Sequence, residues 1–531
     1  MVKFFKYLIF IILITVSPLY AANYYFDLAS GSDAGGDGSS GNPWKTIDKC
    51  TTSRSAGDEC RGAKTAITTL AGTLTFTNGS ATVATSEDIS AVVAAGDLVG
   101  KNTGVDTWWH VASRDASTIT LSNQYWAPTG SGSAVTGYKI TPVAGSEKYD
   151  VASSGNASAN LKISGGWDLA GPTQDGWTCV AAYSTGAGIE LSGDNYVELS
   201  KFIVFSSGNN AVNVTTTASY AYLHDLHILT NATLYATLGV AGAYGKYKDV
   251  YVNSTNFHGI IISASLCEFE NVYVYSSGNA SNEYGINLGG YLNFFNNTRV
   301  YNSYDDNLEV VKDGGFNLFS SCIFDTNRNA GSYSVYLGQT ENRFYNCTLT
   351  GATSYDIFPG VEFLTNYFIG CTLSGTTGDY AAVSALVENP TVPALVIAPT
   401  GGDAYRVYSR GIIESDTADS RSGTCIKIMP TSAGLPIGEK VGSIKVPSAA
   451  SDLTVSIYLK DDAGFDGTVW LVAVQNGQFI SRTEKVPTTS YVKESVVIPL
   501  ASLVVDAYID LWVFATGTAG AAYFDDFSAE Q

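Results

Sequence analysis

The sequence predicts an all-β protein whose centre is a parallel β-helix, and three observations carry that prediction. A sextet of the form apolar, any, small-polar, apolar, any, apolar occurs eight times between Leu199 and Leu373: LSKFIV, LHDLHI, YKDVYV, FENVYV, FNNTRV, FSSCIF, FYNCTL and FIGCTL. Its fourth letter falls at Phe202, Leu226, Val250, Val272, Thr298, Cys322, Cys347 and Cys371, at intervals of 24, 24, 22, 26, 24, 25 and 24 residues. Each sextet alternates with period two, as a half-buried strand does. A second short strand follows in most repeats, at 210–214, 258–263, 284–288, 306–311 and 333–337, between turn clusters such as SSGNAS and NSYDD. Two or three short strands in each turn of about 24 residues, stacked in parallel, make a solenoid in which each coil buries its apolar side against its neighbours.

The elements follow in chain order. Residues 1–21 read as a secretory signal, with Lys3 and Lys6, an apolar run from Tyr7 to Val16 and small residues at Ala21 and Ala22. Cleavage near Ala21 predicts an exported protein, secreted, periplasmic or at the cell surface, and no later stretch reaches the roughly 20 apolar residues of a membrane span. Residues 22–64 form a Gly/Asp-rich lead that caps the solenoid. From 65 to 142 the text becomes short strands with turns every 8 to 12 residues, a small all-β insert built as a barrel or sandwich. The β-helix occupies 143–385, and a proline-bearing linker covers 386–400. Seven or eight alternating strands at 401–531 predict a β-sandwich.

Charge narrows the partners. Lys and Arg number 29 against 49 Asp and Glu, a net charge of −20 spread along the chain. Nucleic acid is excluded as a partner, because phosphates need a cationic surface. A polyanionic glycan is also repelled unless a bound cation inverts the local field.

Inside the repeat, the residue before the mark is Asn271, Asn297, Ser321 and Asn346 in four copies, which predicts a ladder of stacked polar side chains at one bend. Cys322, Cys347 and Cys371 occupy the marked position itself, where other copies carry Phe, Leu or Val, and are expected as small buried apolar residues. Of the eight cysteines, Cys50 and Cys60 are the better candidates for a disulfide. A leucine-rich repeat shares the period but not this consensus, and a propeller blade needs about 40 residues.

With these repeats, the chain resembles the right-handed parallel β-helix family typified by pectate lyases, whose coils commonly read N-C-x-I followed by a G-I-x-L strand. The lead YYFDLASGSDAGGDGSSGNPWKTID at 24–48 is similar to the segment that opens many such proteins, and the resemblance covers roughly 24–64 and 145–380. The insert resembles strand-rich modules of phage tail and bacterial surface proteins. The last segment, ending in YFDDF, resembles the jelly-roll carbohydrate-binding sandwiches of secreted glycan-active proteins. These likenesses imply contact with extracellular polysaccharide.

The densest group of functional side chains is NSYDDNLEVVKDGG at 302–315. With Leu308 and Val310 inward, Asn307 and Glu309 are expected to face out, with Asp305 and Asp306 at the start of the strand. Matching YGINL to DNLEV places Asn287 beside Glu309 and Glu283 near Asp305. Asp305, Asp306, Glu309, Glu283 and Asn287 are therefore the candidate ligands of a Ca²⁺ ion. One β-helix polysaccharide lyase family carries Asp-Asp-Gly-x-Asp at such a strand to bind calcium. Asp305 and Asp306 match it, whereas Asn307 replaces the Gly and Glu309 the final Asp. The base of that family is a Lys on a neighbouring coil, but the next strand here, SYSVYLGQT, has none, and Lys312 follows the acids on their own strand.

Asp305, Asp306 and Glu309 are equally the candidate catalytic carboxylates of a glycosidase, whose pair stands about 5 to 5.5 Å apart for retention or 6.5 to 9.5 Å for inversion. Pectin hydrolases add N-x-D and G-H-G elements that are missing here. His258, two coils earlier, Lys312 and Tyr336 are the candidate substrate-binding residues. His224 and His227 are expected to lie together on the solenoid surface, and Tyr336 and Phe358 to face outward. Trp126 falls in the insert. Trp108 and Trp109 point to opposite faces of one strand, so at most one is expected in a core, while Trp470 and Trp512 are expected to pack inside the sandwich.

The reading is an exported protein that binds polysaccharide and, if it is an enzyme, favours calcium-assisted lyase chemistry over hydrolysis. The alternative is a non-catalytic surface, adhesive or filament-forming protein that self-assembles through exposed strand edges.

Overall fold

The structure is a computed structural model that describes residues 22–52, 54–101, 108–122, 124–125, 132–145, 149–171, 173–182, 186–254, 256–275, 278–311, 315–329, 332–338, 342–352, 355–359, 366–369, 371–373, 406–408, 411–416, 420–421, 425–430, 432–446, 452–475, 478–499 and 508–530. The segments expected as signal (1–21) and linker (386–400), Trp126 and Lys312 lie outside these residues.

Successive coils pair in parallel, as the repeat requires. The second strands of the repeats form a nine-stranded sheet that includes Val212–Val214, Ile260–Ile262, Ile286–Leu288, Leu308–Val310 and Tyr333–Leu337. The sextets belong to a larger sheet of 17 strands. The residue before each mark, at Lys201, Asp225, Asp249, Asn271, Asn297, Ser321 and Asn346, takes a left-handed backbone with φ between 51° and 63°. That conformation penalises most L-residues by roughly 1–2 kcal/mol and is tolerated best by Asn and Asp, which explains the polar letter there. The bend folds the large sheet into two arms, one before the mark and one after it. The expected ladder forms on the bend: Asn271 Nδ2 donates to Asp249 Oδ1 at 2.9 Å, and Asn297 Nδ2 to Asn271 Oδ1 at 2.8 Å.

The marks themselves point inward. Phe202, Leu226, Val250, Val272, Thr298, Cys322 and Cys347 are buried, while Cys371 is half-buried. The cysteines are free thiols, and those of Cys322 and Cys347 donate to the Phe295 and Phe319 carbonyls of the preceding coil. Beside them Tyr247, Phe269, Phe295, Phe319 and Phe344 stack as an internal column with ring centroids 4.5–4.8 Å apart. Burying each such ring stabilises the fold by roughly 2–3 kcal/mol. A second amide ladder was not legible in the repeat: Asn317 and Asn342 accept from the backbone N–H of Asn293 and Asn317 at 2.9 and 3.1 Å, all fully buried.

The lead folds as the cap. Asn23–Phe26 pairs with Glu59–Ala63, which continues onto the coil at Leu161–Trp167. The chain wraps Trp44, whose ring leaves no room for a Cβ at Gly38 (φ 77°), and Cys50 is joined to Cys60 with Cα atoms 5.9 Å apart.

The insert is a closed six-stranded barrel. Trp108 and Trp109 do point to opposite faces, yet both are buried, which corrects the expectation that at most one would be. Trp109 fills the barrel core with Phe76 and Tyr125. Trp108 packs outside it, against Ile203, Phe205 and Leu229 on the second arm of the solenoid.

The C-terminal segment is a sandwich of a six-stranded and a four-stranded sheet around Val455, Leu471, Val513 and Phe524. Trp470 and Trp512 are not in that core. They stand on the outer face of the four-stranded sheet with Val472, Val474 and Phe514, buried against Leu292, Phe294, Phe316 and Leu318 of the solenoid. Alternation predicted which face each residue takes, but not that a neighbouring unit covers the outer one. No helix among the described residues is long and apolar enough to cross a membrane.

Candidate functional site

The acidic repeat lies on the outer side of the nine-stranded sheet. Leu308 and Val310 are buried, so Glu309 between them projects outward, and the register sets Asn287 and Tyr336 on either side of it. The Asn287 amide donates to the Glu309 carboxylate, and the Tyr284 hydroxyl, which donates to Asn282 Oδ1 at 3.3 Å, lies close enough to favour the charged form of the same group. Burial pushes the Glu309 carboxyl up to about 7, ahead of the opposing effect of these two donors. Tyr336 and Phe358, on the next two coils, are half-buried with ring centroids 5.6 Å apart.

Asp305 and Asp306 sit in the turn before the strand and hold it closed. Asp305 accepts from Asn282 N at 2.7 Å and from Ser332 Oγ at 2.8 Å. Asp306 is 5% exposed and accepts from Tyr333 N at 2.7 Å; burial raises it to about 8, with Asp305 and Glu309 adding repulsion. Asn307, expected to face out, is instead fully buried and donates to Asn327 Oδ1. The strand begins only at Leu308, so strict alternation does not reach the turn residue before it.

Glu283 is a neighbour of Asp305 only through its backbone, Asp305 N donating to Glu283 O at 3.2 Å. Its carboxylate turns the other way and caps the backbone N–H groups of Asn279 and Ala280. The five expected calcium ligands are thus divided among separate tasks. Calcium takes six to eight oxygens around one point, and among the described residues no group of three or more His, Cys, Asp or Glu side chains is placed to hold a metal ion.

His258 stands two coils before Glu309 and is buried. Its Nδ1 accepts from Tyr284 N at 2.9 Å and its ring stacks on Tyr284, centroids 5.2 Å apart, while burial lowers it to about 4. It is therefore a neutral staple that positions Tyr284 rather than a group on the groove floor. His224 and His227 do not meet, because the bend at Asp225 sends them to different arms. His224 pairs with Asp225 at 3.0 Å and Glu198 at 3.4 Å, and these partners raise it to about 9 against the opposing effect of burial, the largest single influence on it. His227 is buried.

Two neighbours of the site were missed. Tyr284 was legible only as the first letter of a strand. Arg328 comes from the turn TNRN, reaches back to donate to Gly278 O, and lies with its guanidinium 5.7 Å from the Tyr304 ring centroid. Turn residues carry no periodicity, so nothing in the repeat flags them.

No family model matches the chain, and no curated protein matches it. Among solved structures it is similar to the tailspike protein gp49 from Pseudomonas phage LKA1, with 10% identity over 88% of this chain and 86% of that one and a TM-score of 0.23. A pectin methylesterase in complex with a hexasaccharide is similar at 12% identity over 68% and 92% of the two chains, TM-score 0.28. The family 11 carbohydrate-binding module of a Clostridium thermocellum cellulosomal cellulase is similar at 15% identity over 25% and 91%, TM-score 0.19. At these values the likenesses are of architecture alone.

Proposed function

We propose that this is an exported β-helix protein that binds extracellular polysaccharide across the outer face of its nine-stranded sheet, with Glu309 at the centre of contact. The observation that carries the reading is the outward Glu309 carboxyl, held by Tyr284 and Asn287 with its pKa raised to about 7 and continued by Tyr336 and Phe358 on the following coils. A carboxyl that keeps its proton near neutral pH donates a hydrogen bond to a sugar hydroxyl, and it is the kind of acid that protonates a glycosidic oxygen. Hydrolysis fits this site better than lyase chemistry, since acids expected to hold calcium accept from backbone amides instead.

The test is retention of the protein on a panel of insoluble polysaccharides, with reducing ends and near-ultraviolet absorbance followed in the same tubes. Glu309→Gln and Tyr336→Ala should each lower retention at least several-fold; reducing ends without new absorbance would mark hydrolysis. Retention unchanged in both variants would remove the site, and absorbance rising in the wild type would restore the lyase reading.

One observation favours the non-catalytic alternative. Asp305 and Glu283 satisfy backbone N–H groups in turns and Asp306 that of Tyr333 at the start of the next coil's strand, which is what acids do in a rigid spacer. Fibres in electron micrographs, with no retention on any glycan, would select it.

A further inference from the structure

A cleft of about 430 Å³ opens on the first arm of the large sheet, on strands other than those that carry Glu309. Register stacks Tyr222, Lys246, Glu268, Phe294 and Leu318 along it, one per coil, with Lys248, Glu270 and Asn296 in a parallel row two residues on. Four coil intervals at about 4.8 Å make a trough of roughly 19 Å, long enough for a few sugar rings.

Its chemistry changes along that length. At one end Lys246 pairs with Glu268 and Lys248 with Glu270, each at 3.0 Å and each partly exposed. The two pairs sum to zero charge, and they alternate ammonium donors with carboxylate acceptors at the spacing of one coil. At the other end Phe294 and Leu318 are buried beneath the sandwich and close the trough, while beside the charged pairs the half-buried Tyr222 ring supplies an aromatic face. A polyanion would meet two carboxylates on a chain of net charge −20, and a cation would have to displace the lysines. A ligand whose neighbouring hydroxyls both donate and accept, and whose ring has an apolar face, meets no such penalty.

We infer that the cleft from Tyr222 to Leu318 is a second carbohydrate site, selective for an uncharged oligosaccharide. The inference rests on the reading above that the ligand is a glycan, but on a separate set of residues. It extends that reading from one contact face to two, of which only the Glu309 face carries a candidate acid.

The experiment uses the full chain on an array of neutral and acidic oligosaccharides, followed by calorimetric titration with the strongest neutral and strongest acidic hexasaccharide. Wild type is compared with the charge-conserving double variant Lys248→Ala/Glu270→Ala and with Glu309→Gln, all three checked for equal melting temperature. The double variant should weaken neutral binding at least tenfold, while Glu309→Gln leaves a neutral-binding event in place. Neutral binding untouched by the double variant, or abolished by Glu309→Gln alone, overturns the cleft and leaves the Glu309 face standing. A wild type that binds no glycan overturns both.

Discussion

Arg343 of the solenoid lies over the Trp512 ring of the sandwich, 3.9 Å from its centroid, and fastens two units that the sequence presents as separate. Around the pair, Phe316 meets Phe514 edge-on at 5.8 Å, and Tyr244 donates to Glu484 at 2.9 Å. The aromatic outer face of the four-stranded sheet is thereby pressed against the solenoid.

Trp512→Ala should therefore loosen the docking rather than unfold the sandwich. A buried Trp→Ala change is worth about 3 kcal/mol, and Arg343→Ala about 1 kcal/mol from the lost cation–π contact. Calorimetry should split one transition into two in the Trp512 variant, and limited proteolysis should open sites between the units. A single unsplit transition would show that the contact does not couple them.

The two raised carboxyls set a pH dependence. Burial lifts Glu309 from 4.5 to about 7 and Asp306 from 3.8 to about 8. A group whose pKa is higher folded than unfolded contributes stability that is complete below the unfolded value and is lost as pH rises through the folded one. Melting temperature should accordingly fall from about pH 4 to pH 8 through these two groups. Glu309→Gln and Asp306→Asn should each flatten the slope, the Asp306 variant more because that side chain is nearly inaccessible. A wild-type profile as flat as those of the two variants would refute the assignment.

Among the described residues six cysteines are free, and all but Cys371 are buried. Burial pushes the Cys267 thiol up to about 12 and that of Cys347 well above its usual value, so neither is a thiolate at neutral pH. A thiol reagent should label native protein at Cys371 first and slowly, and all six only after denaturation. Cys347→Val, close to volume-conserving, should change stability by less than about 1.5 kcal/mol; fast labelling of Cys322 or Cys347 in native protein would contradict the inward placement.

Asn317 tests the inner ladder. Its Nδ2 donates to Gly290 O and Asn342 Oδ1, both at 3.1 Å, and its Oδ1 accepts from Asn293 N. Asn317→Ala strands two buried backbone groups of the preceding coil, Gly290 O and Asn293 N, at roughly 1–3 kcal/mol for each unsatisfied group. Denaturant unfolding should show a loss of that order, while Asn156→Ala, in the exposed connection before the strand Leu161–Trp167, should lose far less.

Chelation tests the donor set. Because Glu283, Asp305 and Asp306 are engaged by backbone amides, excess chelator should leave both melting temperature and glycan retention unchanged. A drop reversed by added calcium would return these residues to the ligand role.

The parallel β-helix, its 24-residue coil, the polar bend and the inward cysteines are all readable in the sequence, and so is the pairing of Asn287 with Glu309. Each depends on which side of a strand a residue takes, and that is written locally, in a period of two and in the spacing between copies. The structure alone decided the rest. Asn307 and Glu283 turn away because turns follow no period; His258 is a staple because a backbone N–H 26 residues later needs an acceptor. Trp108, Trp470 and Trp512 are buried because whole units dock on the solenoid, and docking depends on the match of two surfaces formed by residues far apart in sequence. The cleft along Tyr222 to Leu318 follows from that same docking, at the line where a charged face meets the apolar seat of the sandwich.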